Sequence, residues 1–295
     1  MLTLAALNFT TIDRFGAQDT LPSGINNEGV IAGTSETAAQ ANANTEEGFL
    51  LRNGKYKTIF FPGAFDTDLG AVNDSGVVFG TYDEGNPFEN YCFEWSAEEG
   101  YEKVNLPINV HSYPDCNGIN GEGDRVGSFV SDCLTSDLYC NFTGTTHGFL
   151  LTEDGKFTQY DYPGAIGTEL FGINEDRYIV GTFIRPNGGN DGAFVLHKGI
   201  PTEIVVPGST SVDAYAISDR GVIGGSYTAC HTVSQVTTCT DHGFVLKKGK
   251  ITTIDVNIPG AETNKVTGVN DAGWIVGVYT KNNIEHGFKV NMGDD

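Results

Sequence analysis

Apolar and polar positions alternate along this chain in runs of a few residues, each bounded by Gly, Asn, Asp or Pro. A period of two, carried by Ile, Val, Thr, Phe and Tyr, predicts short strands joined by tight turns. No segment sustains the 3.6-residue apolar spacing of an amphipathic helix, so helix is expected to be nearly absent. The runs return in a fixed order. Gly or Ala, Ile or Val, Asn, a polar pair and Gly precede an apolar strand that ends in Gly. Copies are GINNEGVIAG (24–33), AVNDSGVVFG (71–80), GINGEGDRVG (118–127), GINEDRYIVG (172–181), AISDRGVIGG (216–225) and GVNDAGWIVG (268–277). The anchors Asn26, Asn73, Asn120, Asn174, Ser218 and Asn270 are 47, 47, 54, 44 and 52 residues apart. That range fits propeller blades and exceeds most helical repeats.

Each copy continues alike. A second motif follows as EGFLL (47–51), YCFEW (91–95), HGFLL (147–151), GAFVL (192–196), HGFVL (242–246) and HGFKV (286–290). A third appears as KYKTIFFPGA (55–64), KFTQYDYPGA (156–165) and KITTIDVNIPGA (250–261). The unit is therefore four strands, A to D, followed by PGAxxT. Residues 9–20 carry a D strand and its tail with nothing before them, while the last copy has A, B and C but no D. An N-terminal strand completing the last sheet would close the ring and leave no exposed edge. The expected fold is an all-β, six-bladed β-propeller of four-stranded blades forming one domain, 1–295. The closing strand covers about 8–14, and the repeats about 20–64, 65–107, 108–165, 166–208, 209–261 and 262–290. Its core should lie between blades, on Phe49, Phe93, Phe149, Phe194, Phe244 and Phe288 and the Ile/Val of strand A.

The A–B turn explains its own letters: Asn and Asp side chains bond backbone two residues on, and Gly supplies positive φ. Gly29, Gly76, Gly123, Gly221 and Gly273 hold the fourth position, and Arg177 is the departure. The D-x-D-x-D spacing of an EF-type calcium loop is missing from these runs. The repeat as a whole resembles the bacterial extracellular HAF family, named for a motif of the His-Gly-Phe kind. The strongest matches are His147-Gly148-Phe149, His242-Gly243-Phe244 and His286-Gly287-Phe288, with Glu47, Tyr91 and Gly192 departing, and the likeness runs from Phe9 to Val290. It implies a secreted or surface-displayed propeller and carries over no reaction and no catalytic residue. The three His, recurring at one position, are read as structural hydrogen bonds to the adjoining loop.

Charge and cysteine narrow the setting. With 17 Lys+Arg against 38 Asp+Glu the formal net charge is −21. Such a surface repels phosphate backbones and anionic lipid, which argues against nucleic acid as a partner and against membrane insertion. The start, MLTLAALNF, has neither the basic n-region nor the apolar length of a signal peptide. Six Cys, an even number, fit an oxidising compartment. Cys133 and Cys140 bracket a loop of blade three, and Cys230 and Cys239 one of blade five, so each pair is read as a staple. Cys92 and Cys116 pair by elimination.

Function is harder to place. The A–B and C–D turns are short and uniform, whereas B–C loops vary from SDCLTSDLYCNFTGTT to KNNIE, and the D–A connections share their face. Variable loops on a rigid repeat are where binding concentrates. Five residues before each anchor stand Leu21, Asp68, Asp115, Glu169, Asp213 and Lys265, which should ring the channel mouth at the start of innermost strand A. Two further along, Ser23, Gly70, Asn117, Phe171, Tyr215 and Thr267 should form the next layer, with Phe171 and Tyr215 flooring a small pocket. The carboxylates Asp68, Asp115, Glu169 and Asp213 suit a cation, with calcium as the metal to test, a cationic group or sugar hydroxyls. They equally suit a solvated entrance where charge costs little. Three readings follow, with secretion or surface display common to all. The first is a non-catalytic binding or adhesion module for a carbohydrate, surface polymer or protein. The second is a self-associating subunit of a surface layer or filament. The third is a polysaccharide hydrolase or lyase using two of these carboxylates.

Overall fold

A computed structural model describes residues 7–37, 46–85, 89–108, 113–131, 144–186, 191–233 and 236–293. Twenty-four strands form six four-stranded antiparallel sheets, with no helix among the described residues. After β1 (Thr10–Thr11), blade one holds β2 (Ala17–Ile25), β3 (Ile31–Thr37), β4 (Glu47–Arg52) and β5 (Lys55–Ile59). Blade two holds β6 (Asp66–Val72), β7 (Val78–Asp83), β8 (Asn90–Ser96) and β9 (Gly100–Val104). Blade three holds β10 (Asp115–Ile119), β11 (Arg125–Ser131), β12 (Thr145–Leu151) and β13 (Phe157–Tyr160). Blade four follows with β14 (Gly167–Ile173), β15 (Ile179–Ile184), β16 (Gly192–His197) and β17 (Ile200–Ile204). Blade five has β18 (Ser209–Ile217), β19 (Ile223–Val233), β20 (Val236–Lys247) and β21 (Lys250–Ile254), and blade six β22 (Asn264–Val269), β23 (Trp274–Lys281) and β24 (Ile284–Asn291). The sheet order β1-β24-β23-β22 is the expected closure: Thr10 and Thr11 pair with Lys289 and Phe288, and the Ile12 N–H donates to Gly287 O at 2.9 Å.

The core lies between blades. One cluster joins Ile59 of blade one to Leu69, Phe93 and Trp95 of blade two, and another joins Ile12 and Val276 of the closing sheet to Ile31 and Phe49. All six strand-C Phe are fully buried. Each lies directly opposite the Gly that ends the strand-B motif, Gly33 facing Phe49 and Gly277 facing Phe288. A Cβ on any of these glycines would come within 2.0–2.4 Å of a strand-A carbonyl and against the Phe ring. Gly in B and Phe in C are thus one packing device, and it draws strand A close.

The A–B turns do more than their letters suggested. The fourth position has positive φ in every blade, at 75° for Gly29 and 57° for Arg177. The anchor Asn accepts from the N–H four residues on, not two, because the loop holds three residues; Asn26 Oδ1 to Val30 N is 2.9 Å. Its amide then donates to the next blade's anchor carbonyl: Asn26 to Asn73, Asn73 to Asn120, Asn120 to Asn174, Asn174 to Ser218, and Asn270 back to Asn26, at 2.9–3.2 Å. A belt of side-chain bonds therefore circles the lower face, broken only where Ser218 is too short to reach Asn270. Its hydroxyl is buried without a partner among the described residues.

Blade five departs from expectation. Its supposed B–C loop, ACHTVSQVTTCTD, largely continues the ladder of β19 and β20, in register to Val233 opposite Val236. Thr and Val alternate there without Gly or Pro, and such residues prefer extended backbone. Cys230 and Cys239 face each other across this hairpin and are joined. Cys92 and Cys116 are also joined, fastening strand C of blade two to strand A of blade three. The pair Cys133 and Cys140 lies outside the described residues.

Candidate binding site at the channel mouth

Strand A is innermost in every blade, and its alternating burial turns every second side chain to the central channel. The first tier sits on one rung of the ring. Leu21, Asp68, Asp115, Glu169, Asp213 and Lys265 each oppose the strand-B residue just after the recurrent Gly: Thr34, Thr81, Ser128, Thr182, Ser226 and Val278. Two residues deeper, every strand A slips register at a β-bulge, at Ser23, Gly70, Asn117, Phe171, Tyr215 and Thr267. A bulge leaves its extra residue unpaired and re-aims its side chain. Phe171 and Tyr215 stand edge to face with ring centres 5.3 Å apart. Below them Ile25, Val72, Ile119, Ile173, Ile217 and Val269 form an aliphatic tier above the asparagine belt.

These tiers line a cavity of about 580 Å³ that opens on the face of the B–C and D–A connections, called here the upper face. Asp68, Asp115, Lys265, Phe171 and Tyr215 line it directly, while Glu169 and Asp213 hold the same rung between them. A separate lower space of about 70 Å³ lies among the anchor residues. The upper cavity also takes in Glu46, from the variable B–C stretch of blade one. The Glu46 N–H donates to Asp66 Oδ1 at 2.6 Å, and its carbonyl accepts from Thr67 N at 3.2 Å, which docks blade one's strand C onto blade two. The signal was there in part: a Glu pair precedes Gly48-Phe49 where blades three, five and six have one polar residue and His.

Burial at the tier is uneven, with Asp68, Glu169 and Asp213 half-buried and Asp115 exposed. Burial raises all four carboxylates, to about 6 for Asp115, about 7 for Glu169 and about 6 for Asp213; beyond burial, Asp115 and Asp213 add to the rise at Glu169. Asp115 exposes more than a third of its surface, the most of the four. Burial also raises Glu46 and Asp68, whose carboxyl groups lie close together and titrate as a pair. Among the described residues no three His, Cys, Asp or Glu come together closely enough to hold a metal ion.

The recurrent His bond the connection that leaves strand D, which is the adjoining loop the sequence points to. His147, His242 and His286 bond Asp161, Asp255 and Asp13 through Nδ1 at 2.6, 2.8 and 2.9 Å. In blade three Ser131 Oγ also lies 2.7 Å from His147 Nε2. Blades five and six have Ala229 and Lys281 at the Ser131 position, so the His–Asp pair serves the repeat and the hydroxyl is an addition.

Neither a family model nor a curated protein matches the chain in sequence. Its fold is similar to that of AofleA from Arthrobotrys oligospora, at 14% identity over 96% of this chain and 85% of that one, with a TM-score of 0.57. An oligogalacturonate lyase from Vibrio parahaemolyticus matches at 10% identity over 98% and 94%, TM-score 0.52. Trypanosoma rangeli sialidase matches at 9% over 94% of this chain and 54% of its own length, TM-score 0.52. Likenesses at this identity show the propeller fold alone.

Proposed function

We propose that the chain is an extracellular binding module whose ligand enters the upper cavity with a cationic group or a cluster of hydroxyls. The observation that carries this reading is the tiered cup itself: carboxylates at the rim, an aromatic pair beneath them and an aliphatic floor. Membership of the HAF-repeat family is part of the proposal. Export is supported by the two disulfides, because such bonds persist in oxidising compartments. No helix among the described residues is long and apolar enough to cross a membrane. A ligand that binds only the native state raises the melting midpoint. A panel of glycans and amines should include one that does so for the parent and not for Asp68→Asn combined with Glu169→Gln. Calcium, with and without chelator, is the control that separates a metal from an organic cation.

One observation favours a second reading, a polysaccharide hydrolase or lyase. Glu46 beside Asp68, with Asp115 at the same rung of the next blade, offers carboxyl groups for an acid and a base. Turnover of a polysaccharide that Glu46→Gln abolishes while binding survives would establish it; binding without turnover would remove it.

A further inference from the structure

Charge and exposed apolar surface are both distributed unequally between the two faces. Arg14, Lys103, Arg185, Lys265 and Lys281 are the bases near the upper connections; Arg14 and Arg185 are already held by Glu47 and Glu203 at 3.2 and 2.6 Å, and Lys103 lies over the Tyr91 ring. Lys55, Lys156, Lys198, Lys248 and Lys250 stand at C–D turns, and Arg177 and Arg220 at A–B turns, all on the lower face. Carboxylates crowd the upper face, both in the cup and on the turns around it, so most of the −21 net charge is concentrated there. The same face exposes large apolar side chains. Phe15 is fully exposed at its D–A turn, Phe65 is 44% and Ile166 54% exposed at the equivalent turns, and Val233 and Val236 are 59% and 66% exposed on the blade-five hairpin. Ile184 lies beside Ile166, whose N–H donates to its carbonyl at 2.9 Å. At the lower face Tyr178, Ile200 and Trp274 are the counterparts.

Exposed apolar groups rimming a charged mouth mark a contact surface. Their spread around the ring calls for a partner broad enough to touch several turns together. The charge selects its sign, because burying a carboxylate against an apolar partner without a counter-charge is unfavourable. We infer that the upper face docks a cationic polypeptide, one that places apolar side chains on Phe15, Phe65 and Ile166 and a lysine or arginine side chain in the cup. Phe171 and Tyr215 give that cation an aromatic seat below the carboxylates. This inference rests on the binding reading and narrows it to one class of partner.

Three fluorescent probes test it on the full chain: a dodecapeptide alternating lysine and leucine, its lysine–serine counterpart and a glucosamine oligomer. The lysine–leucine peptide should bind best and weaken on the order of tenfold between low and physiological salt. Phe65→Ser with Ile166→Ser should weaken it roughly fivefold, and Asp68→Asn with Glu169→Gln should also weaken it. Ile200→Ser with Tyr178→Ser, on the lower face, should leave it unchanged. Peptide binding indifferent to the upper-face changes overturns the inference. A glucosamine oligomer that binds and is lost in Asp68→Asn with Glu169→Gln, without peptide binding, overturns the inference and keeps the cup as a ligand site. If neither these probes nor the glycan panel bind, both readings fall.

Discussion

At the anchor and fourth positions of the A–B turn, Ser218 and Arg177 are the single residues that break the repeat, and the structure gives each a distinct consequence. At Ser218 the asparagine belt lacks one link. Ser218→Asn should donate to Asn270 O, accept from Val222 N as its equivalents do, and remove a buried unpaired hydroxyl. A net gain of about 1 kcal/mol is expected, and a melting midpoint raised by roughly 2–4 °C would show it. Arg177 occupies a left-handed position that Gly fills in the other blades, at a cost of about 1 kcal/mol. Its guanidinium, however, bonds Asp124, whose side chain is fully buried. Arg177→Gly should therefore destabilise by on the order of 2 kcal/mol, because losing the partner of a buried carboxylate outweighs the relieved backbone. A denaturant midpoint that rose instead would contradict this account of Asp124. Sequence alone marked both departures, since turn chemistry is local. It could not show that each anchor Asn reaches into the next blade, because that contact spans 44 to 54 residues along most of the ring.

Strands were legible because alternation, turn letters and the Gly–Phe pairing all repeat; the β-bulge in strand A was not, because it leaves no residue type in common. Ser, Gly, Asn, Phe, Tyr and Thr occupy it in turn. The same limit hid Glu46, whose place in the cup depends on how strand C of one blade docks on its neighbour. In blade five Thr–Val alternation is a stronger signal for strand than length variation is for loop. Its disulfide and the Cys92–Cys116 bond should act differently. Cys92 and Cys116 are 24 residues apart and fasten two blades, so replacing both by Ala should cost about 3 kcal/mol. Cys230 and Cys239 close a hairpin already held by its ladder, and their double Ala variant should melt within a few degrees of the parent. Faster proteolysis at the hairpin would be its main effect. The reverse order of midpoints would show that the hairpin, and not the blade junction, limits stability.

Across the whole ring, the raised carboxylates tie stability to pH. Asp115, Glu169 and Asp213 bind protons more tightly when folded than when unfolded, so the folded state holds the extra protons between about pH 4 and pH 7. Stability from this source is full below about pH 4 and is lost as pH rises through 6 and 7. The melting midpoint should therefore fall from pH 5 to pH 8. Glu169→Gln should recover on the order of 2 kcal/mol at pH 8, after allowance for channel water, and flatten the slope. A midpoint that rose across this window would mean the rim is better hydrated than its depth implies. A cationic ligand has the opposite preference. It should bind more tightly at pH 8 than at pH 5 and release protons as it enters.

Closing the circle through β1 gives the molecule a seam between the two ends of its chain. Asp13 reaches His286 across 273 residues, and the Tyr56 hydroxyl of blade one donates to the Ile12 carbonyl from the other side. Blades one to five can each form from their own stretch of chain, but blade six must wait for the first strand to return. During synthesis that strand emerges before the blades and stays unpaired until the sixth is made. Closure is thus a late, long-range event that sets the folding rate. The same seam is where unfolding should begin, so the lifetime of the closed ring depends on one short strand.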